Sequence, residues 1–275
     1  MPKDSPNIVL AIAGFDPSSG AGVTADLKTI AAHALYGVSC ITALTVQTTR
    51  DVLRSEAVEP RLIRETLEAL VEDSPPAAVK IGMLASGKVA REVFRFLKAN
   101  PLPRVVLDPV LRSSSGVDLL DKPGLRILRD DLLAIVDIVT PNLQEAEVLT
   151  GLPVADEEGM ERACHELRKL GVRNVVVKGG HLRQPVDLLA TWPSSGKVVF
   201  LCLRHEKIET RNTHGTGCAY STAIACNLAM GRPLDGEDGA VLHARDYVAS
   251  ALREAYNIGK GTGPINHFHG GRQKV

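Results

Sequence analysis

The sequence predicts an α/β protein with a mostly parallel central sheet and helices on both faces. Two observations indicate this class: short apolar segments rich in β-branched residues recur along the chain, and amphipathic helical segments separate them. Parallel strands need such alternation, because each crossover between them usually carries a helix. The 275 residues could form one large domain or two small ones. Since no linker or internal repeat divides the chain, one domain is predicted.

The same patterns predict the individual elements in order. Strands are predicted at residues 7–13, 39–47, 77–82, 104–110, 136–142 and 174–179. Helices are predicted at 21–35, 60–71, 88–98, 122–134 and 157–170, with closing helices at 218–230 and 235–256. Residues 186–204 contain two strand-like segments around a Pro-Ser-Ser-Gly turn, which predicts a hairpin. Residues 267–269 are expected to form a strand near the end of the chain, and 270–275 to fray.

Composition excludes several classes of function. The chain has 32 Lys+Arg and 32 Asp+Glu, and this balance argues against a nucleic-acid or anionic-membrane partner, which requires a basic face. Its five cysteines include no CxxC pair, so a disulfide framework or zinc ribbon is not expected. The sequence has no stretch of about 18 apolar residues, the length of a membrane span. A cytoplasmic location is the default expectation.

Glycines and polar residues follow the predicted strands, where each strand ends. In open α/β sheets, ligands bind beyond the carboxyl ends of the strands. The segments at those ends are Gly14-Phe15-Asp16-Pro17, Gln47-Thr48-Thr49, Gly82-Met83, Asp108-Pro109, Thr140-Pro141-Asn142 and Lys178-Gly179-Gly180. The sequence therefore predicts a ligand site at this edge of the sheet.

The strongest chemical signal is the segment Asn-Thr-His-Gly-Thr-Gly-Cys at residues 212–218, which leads into a helix. Its glycines let backbone N–H groups converge, and the helix dipole adds positive potential, so the segment could bind an anion. A glycine that merely begins a helix is the alternative interpretation. Cys218 lies in the first helical turn, where the dipole is expected to lower its thiol pKa from about 8.5.

Other residues carry weaker signals. The loop 14–22 is glycine-rich but matches neither the dinucleotide fingerprint nor the Walker A motif, so on its own it favours a flexible strand–helix loop over a binding site. Lys178 lies at the end of a buried strand, where its ammonium is expected to pair with an anion. By the same argument, the Asp108 carboxylate is expected to bind a cation such as Mg²⁺. Glu145, on an early helical turn, could join that cation or be a solvated carboxylate. Asp26 could equally be a solvated carboxylate near a helix start.

Together, these segments closely resemble one family. They are AGFDPSSGAG with ADLKT, ITALTVQTT, KIGML, LDPV with SSSG, TPNLQEAE, VVVKGGH, NTHGTGCAYSTAIA and GTGPINHFH, in order between about residues 8 and 269. The chain resembles the hydroxymethylpyrimidine/phosphomethylpyrimidine kinases of thiamine biosynthesis, in the ribokinase superfamily. Cys218 distinguishes this family from others in the superfamily, because its sugar kinases and many pyridoxal kinases carry Asp at that position.

The resemblance implies a ribokinase-like three-layer sandwich over residues 1–275, a homodimer, and the use of ATP with Mg²⁺. It implies two successive phosphorylations of 4-amino-5-hydroxymethyl-2-methylpyrimidine. It also implies site roles: Gly14, Asp26, Gln47, Met83 and Val110 for the pyrimidine; Asp108 and Glu145 for Mg²⁺; Asn142, Lys178 and Thr213 for ATP phosphates; Gly215, Thr216 and Gly217, with Lys178, for the transferring phosphoryl group; and Cys218 as the base.

Three residues depart from the family pattern and bear on substrate range: Phe15, Arg112 and Tyr220. Arg112 lies in a Ser/Gly-rich segment that could close over the ligands as a flap. Two other functions are compatible with the sequence. A pyridoxal or pyridoxine kinase would add one phosphate only, and a non-catalytic sensor would not need Asp108, Lys178 and Cys218 together.

Overall fold

The structure is a computed structural model that describes residues 5–113, 115–180, 182–193 and 196–271. Within those residues it contains nine strands in one sheet. They are β1 (Ile8–Phe15), β2 (Tyr36–Gln47), β3 (Val52–Ala57), β4 (Ala78–Ile81), β5 (Val105–Leu107), β6 (Ile138–Val139), β7 (Asn174–Gly179), β8 (Val186–Thr191) and β9 (Val199–Arg204).

The described residues also form eight α-helices. They are α1 (Gly22–Ala32), α2 (Pro60–Asp73), α3 (Gly87–Ala99), α4 (Lys122–Ile127), α5 (Leu143–Thr150), α6 (Glu157–Lys169), α7 (Thr216–Ala229) and α8 (Ala240–Arg253). A π-helical turn, Leu128–Leu132, continues α4. Among the described residues, no helix has both the length and the apolar character that a membrane crossing needs.

The sheet has the order β3-β2-β1-β4-β5-β6-β7-β8-β9. Strands β2, β1, β4, β5, β6 and β7 run parallel to one another, while β3, β8 and β9 add to the two edges by antiparallel pairing. The chain moves outward from β1 to β2 and β3, then returns to β4 on the other side of β1. This reversal opens a crevice between the carboxyl ends of β1 and β4, the place where open α/β sheets bind ligands.

Both faces of the sheet are buried, which explains why the central strands read as continuous apolar segments. In β1, Leu10 and Ile12 face one core cluster while Val9 and Ala11 face the other. The first cluster contains side chains of α2–α6, and the second contains side chains of α1, α7 and α8. The predicted fold class, a three-layer sandwich around a mostly parallel sheet, is confirmed.

Several element predictions need correction. Strand β3 was not predicted, because five of its six residues are exposed and it has no apolar segment. The last long helix begins at Ala240, not at residue 235, and residues 267–269 form no strand, since a 3₁₀ turn, His269–Gly271, lies there. Cys202 is exposed, whereas Cys40, Cys164 and Cys226 are buried.

The predicted hairpin is confirmed as β8 and β9, although Ser194 and Ser195 of its turn lie outside the described residues. Residues 272–275 of the predicted frayed end also lie outside them, while Gly270 and Gly271 belong to the 3₁₀ turn.

Candidate active site

Two glycine-rich loops, far apart in sequence, meet at the crevice. The first, residues 14–22, connects β1 to α1, and the second, residues 212–217, leads into the first turn of α7. Gly215 has φ +82°, and a Cβ there would overlap the backbone oxygen of Gly20. A Cβ on Gly20 would overlap the ring of His214. The two glycine-rich segments therefore form one structure, in which small residues let the loops touch.

Gly215→Ala is expected to lower the free energy of unfolding by about 3 kcal/mol, from backbone strain plus overlap. Gly231→Ala provides a matched control just beyond the other end of α7. Gly231 also has a positive φ, +86°, but a Cβ there would meet no described atom within 4 Å. The control should lose only about 1 kcal/mol. Urea unfolding of both variants measures the difference, and equal losses would contradict the close contact.

Lys178 and Asp108 form an ion pair beside the beginning of α7. The Lys178 Nζ lies 2.7 Å from Asp108 Oδ1. Ser221, one turn into α7, donates to Asp108 Oδ2 at 3.3 Å. A Cβ placed on Gly217 would lie 3.4 Å from Lys178 Nζ. Burial opposes the charged form of Lys178, but Asp108 and Glu145 raise its pKa, so the ammonium persists at neutral pH.

Asn142 and Glu145 form a capping box at the beginning of α5. The Asn142 side chain accepts from the Glu145 N–H, and Glu145 Oε2 accepts from the Asn142 N–H at 2.8 Å. Glu145 is buried, which contradicts the reading of a solvated carboxylate. Burial raises the pKa of Glu145 to about 7. The Asp108 carboxylate also raises this pKa, while the Lys178 ammonium lowers it.

The raised pKa of Glu145 predicts how stability depends on pH. Between pH 4.5, its ordinary pKa, and about 7, the native protein holds a proton there that the unfolded chain has lost. The free energy of unfolding of the wild type should therefore fall across this range relative to Glu145→Gln, which keeps the capping acceptor. Urea unfolding at about pH 5 and about pH 8, without metal or nucleotide, tests this. If the free energies of unfolding of wild type and Glu145→Gln differ by the same amount at both pH values, the raised pKa of Glu145 is contradicted.

Cys218 lies partly buried in the first turn of α7. The expectation of a lowered pKa is wrong: burial raises the pKa of the thiol to about 11. Lys80 and a hydrogen bond from the Gly22 N–H favour the thiolate, but Asp26 and Asp108 oppose it. The side chain is therefore a neutral thiol near pH 7 when no ligand is bound.

Asp26 is fully buried in α1, which contradicts the alternative of a solvated carboxylate; its assignment to the pyrimidine stays a prediction. Its side chain is fully buried and bridges Lys80, whose Nζ lies 2.8 and 2.9 Å from the two carboxylate oxygens. Thr222 of α7 donates to Asp26 Oδ1 at 2.7 Å. Sequence reasoning missed Lys80, because the KIGML segment reads as an apolar strand with one interruption. The pair joins α1, β4 and α7 under the site.

The other residues assigned to the pyrimidine surround the crevice. Gly14 lies against Met83: a Cβ there would come 2.8 Å from the methionine sulfur. Gln47 ends β2 with its amide partly exposed, and Val110 follows Asp108, also partly exposed. Thr213 is exposed, and its carbonyl accepts from the Thr216 hydroxyl. Gly14 and Met83 are therefore in contact, while Gln47 and Val110 have partly exposed side chains.

Two further residues, Asp16 and His214, were not singled out from the sequence. His214 Nε2 lies 2.8 Å from Asp16 Oδ2 and 3.4 Å from Gln47 Nε2. Both lie inside the glycine-rich segments, where a charged residue amid glycines could have been noted. The contact between Asp16 and His214 could not be predicted from the sequence, because 198 residues separate them.

A C-terminal strap, residues 259–264, crosses the outer side of the site. Gly263 O accepts from the His214 N–H at 3.0 Å, and Thr49 O accepts from the Thr262 N–H at 2.9 Å. The strap therefore connects the turn after Gln47 with the loop before α7.

The residues that depart from the family pattern differ in burial and in contacts. Tyr220 is buried in the core beside Asp187. Arg112 is exposed and pairs with Asp118, with Nε 2.6 Å from Oδ1. Ser114, within the proposed flap, lies outside the described residues. Phe15 is half-buried, and its carbonyl accepts from Thr45.

Comparison with known proteins decides the family. A family model described as phosphomethylpyrimidine kinase matches residues 16–266. The chain belongs to that family. A hydroxymethylpyrimidine/phosphomethylpyrimidine kinase of Haemophilus influenzae is 38% identical over 261 residues, which cover 94% of this chain and 96% of the relative. The chain is accordingly an enzyme, a kinase.

Solved structures agree with this family. A phosphomethylpyrimidine kinase of Clostridium difficile superposes on this phosphomethylpyrimidine kinase family member with a TM-score of 0.77 and 37% identity, covering 90% of this chain and 99% of the other. A pyridoxal kinase of Bacillus subtilis, solved with ADP, has a TM-score of 0.84 and 29% identity, covering 96% and 98%. The ribokinase-like fold implied by the sequence is confirmed.

Proposed function

We propose that this kinase transfers a phosphoryl group from ATP to the hydroxymethyl group of 4-amino-5-hydroxymethyl-2-methylpyrimidine, and then a second one to the monophosphate. One observation carries the proposal. The beginning of α7 lies against the Lys178–Asp108 ion pair, and His214, just before α7, lies beside the Gln47 amide at the end of β2. The kinase names of relatives that match nearly the whole chain support the same reaction.

The protein groups divide into those that bind phosphate and those that bind the ring. We assign the N–H groups of Gly215, Thr216 and Gly217 to the transferring phosphoryl group, because they lie at the beginning of a helix. The Thr216 N–H donates to the Thr213 carbonyl at 3.2 Å and would exchange that bond for the phosphoryl oxygen. Lys178 neutralises charge on that group from the side. Asn142 and Thr213 are assigned to the nucleotide phosphates. The Gln47 amide can donate to a ring nitrogen and accept from an adjacent amino group.

Asp108 and Glu145 fit magnesium. Their oxygens are hard ligands, and the excess negative charge that helps to raise the pKa of Glu145 is the kind a cation relieves. Among the described residues no group of three His, Cys, Asp or Glu side chains could hold a metal alone. Mg²⁺ commonly uses one or two carboxylates together with substrate phosphates. Bound there, it would neutralise charge on the phosphates during transfer.

Cys218 is assigned as the base for the first phosphorylation. The alcohol carries a proton that must leave, whereas the monophosphate, with a second pKa of about 6, is already largely anionic. Because the thiol is neutral without ligands, it becomes a base only after losing its own proton. The nearby Lys80 ammonium favours that loss.

Three further features of the protein are proposed from the family. The chain works as one domain over residues 1–275, in the cytoplasm, as a homodimer. The apolar side chains of Leu44, Val46 and Leu53 are exposed at the β2–β3 edge of the sheet and support an association between copies.

Counting the phosphates on the product tests the proposal. Purified protein with Mg-ATP and hydroxymethylpyrimidine should give the pyrophosphate by mass spectrometry. A monophosphate alone would contradict the second step, and no product would contradict both.

Pyridoxal phosphorylation is a second candidate activity. The pyridoxal kinases of Bacillus subtilis and Staphylococcus aureus superpose on 96–98% of the chain with TM-scores of 0.83–0.86. A parallel incubation with pyridoxal measures it. Faster turnover of pyridoxal than of the pyrimidine would make it the main function.

A further inference from the structure

The side-chain nitrogen of His214 has two polar neighbours but can hold only one proton. Nε2 lies 2.8 Å from Asp16 Oδ2 and 3.4 Å from Gln47 Nε2. Asp16 also accepts from the Ser18 N–H, the Ser18 hydroxyl and the Ala21 N–H, at 2.7–2.9 Å. A carboxylate surrounded by donors is ionised. His214 therefore carries its proton on Nε2 and directs it towards Asp16.

The pKa of Asp16 agrees with this assignment. Burial opposes the charged form, yet the hydrogen bonds from His214, Ser18 and Ala21 lower the pKa below its ordinary value.

The other end of the Gln47 amide has a similar constraint. Thr45 Oγ1 lies 2.9 Å from the Phe15 carbonyl oxygen and 3.2 Å from Gln47 Oε1. The carbonyl can only accept, so the single hydroxyl proton of Thr45 goes to Phe15. Thr45 then presents only lone pairs to Gln47.

These two constraints select one orientation of the amide. With Nε2 beside the His214 N–H and Oε1 beside the Thr45 lone pairs, neither contact is a hydrogen bond. A half-turn of the amide exchanges its oxygen and nitrogen with almost no change of shape. Oε1 then lies 3.4 Å from His214 Nε2 and shares its proton with Asp16, which remains the nearer acceptor at 2.8 Å, while Nε2 donates to Thr45. One lone pair and one N–H remain for a ligand.

We propose that His214, held by Asp16, and Thr45 together orient the Gln47 amide, which makes His214 a residue that positions the specificity-determining group. The oriented amide offers its acceptor on the His214 side and its donor on the Thr45 side. A ring with an amino group beside a ring nitrogen matches this pair in one direction only. His214 thus determines which way round the ring binds and which substituent faces α7. This inference rests on the proposed function.

Discrimination between two substrates tests this role. The pair is 4-amino-5-hydroxymethyl-2-methylpyrimidine and the same molecule without its amino group. Wild type should prefer the amino compound in kcat/KM by about tenfold or more, the contribution of one well-placed hydrogen bond. His214→Ala should narrow this preference to about threefold or less. His214→Gln supplies a side-chain N–H at a similar reach and should restore most of it.

Thr45→Val provides an independent variant at the other end of the amide. It keeps the side-chain shape, removes the acceptor for Gln47 Nε2, and should also narrow the preference. It keeps the inference testable where His214→Ala does not fold, which thermal unfolding of each variant will report.

The outcomes separate this inference from the proposed function. If wild type phosphorylates neither pyrimidine, the proposed function fails and this inference fails with it. If wild type acts on both but His214→Ala and Thr45→Val slow them equally, or His214→Gln restores nothing, His214 has a structural role only. A wild type that does not distinguish the two compounds would also overturn the proposal.

Discussion

Lys178→Met should slow both phosphorylations by about 10³-fold, the effect typical of removing one fixed charge from the position where transition-state charge develops. Lys178 lies against Asp108 and faces the first turn of α7, and its side chain is 14% exposed, so little water can replace its ammonium. Both steps transfer the same γ-phosphoryl group, so both should slow alike. Single-turnover rates with each acceptor measure the effect.

Two controls separate chemistry from stability in the Lys178 experiment. Lys178→Met leaves Asp108 buried without its cation, which can destabilise the fold by several kcal/mol. The double variant with Asp108→Asn removes that penalty and should fold better while remaining inactive. Lys207→Met, at an exposed lysine on the surface, should keep full activity. A folded Lys178→Met enzyme with more than about a tenth of wild-type activity would contradict the assignment.

Cys218→Ser should separate the two steps instead. Phosphorylation of the alcohol should fall by about 10²–10⁴-fold, the usual contribution of a positioned base. Phosphorylation of the monophosphate should change little, because its acceptor oxygen is already anionic near neutral pH. Rates of the two reactions, measured separately on each pure acceptor, give the ratio. Equal losses would contradict the role of Cys218.

The raised thiol pKa adds a pH signature to the same experiment. With a pKa of about 11, only about 10⁻⁴ of the molecules carry the thiolate at pH 7 without ligands. The first step in the wild type should therefore accelerate as pH rises, and Cys218→Ser should abolish that dependence. Cys226→Ala, on the same helix but buried in the core, is the matched control and should leave the profile unchanged.

The fold was predictable because its signals are local. Residues of β1 are buried on both faces, so an apolar segment marks the strand directly. The signal fails where burial is one-sided or absent. In β3 only Val52 is buried, so neither an apolar segment nor an alternation marks the strand.

The site was predictable in part for a different reason. Lys178, Asp108 and residues 215–218 are unusual for their local context, and a parallel sheet brings strand ends together. Contacts such as Asp16–His214, and the burial of Asp26 under Lys80, depend on three-dimensional packing that no local pattern encodes. The pKa of Cys218 was predicted in the wrong direction for the same reason, because Asp26 and Asp108, which oppose the helix dipole, approach from other elements.

The C-terminal strap has a consequence for how the enzyme is made. His214 is fixed by the Gly263 carbonyl, and the turn at Thr49 is fixed by the Thr262 N–H. During synthesis on the ribosome, strands β1 to β7 can pair long before these partners have left the exit tunnel. The nascent chain can thus acquire its sheet while still inactive. The contacts that hold His214 and the turn at Thr49 form only after residue 264 has emerged.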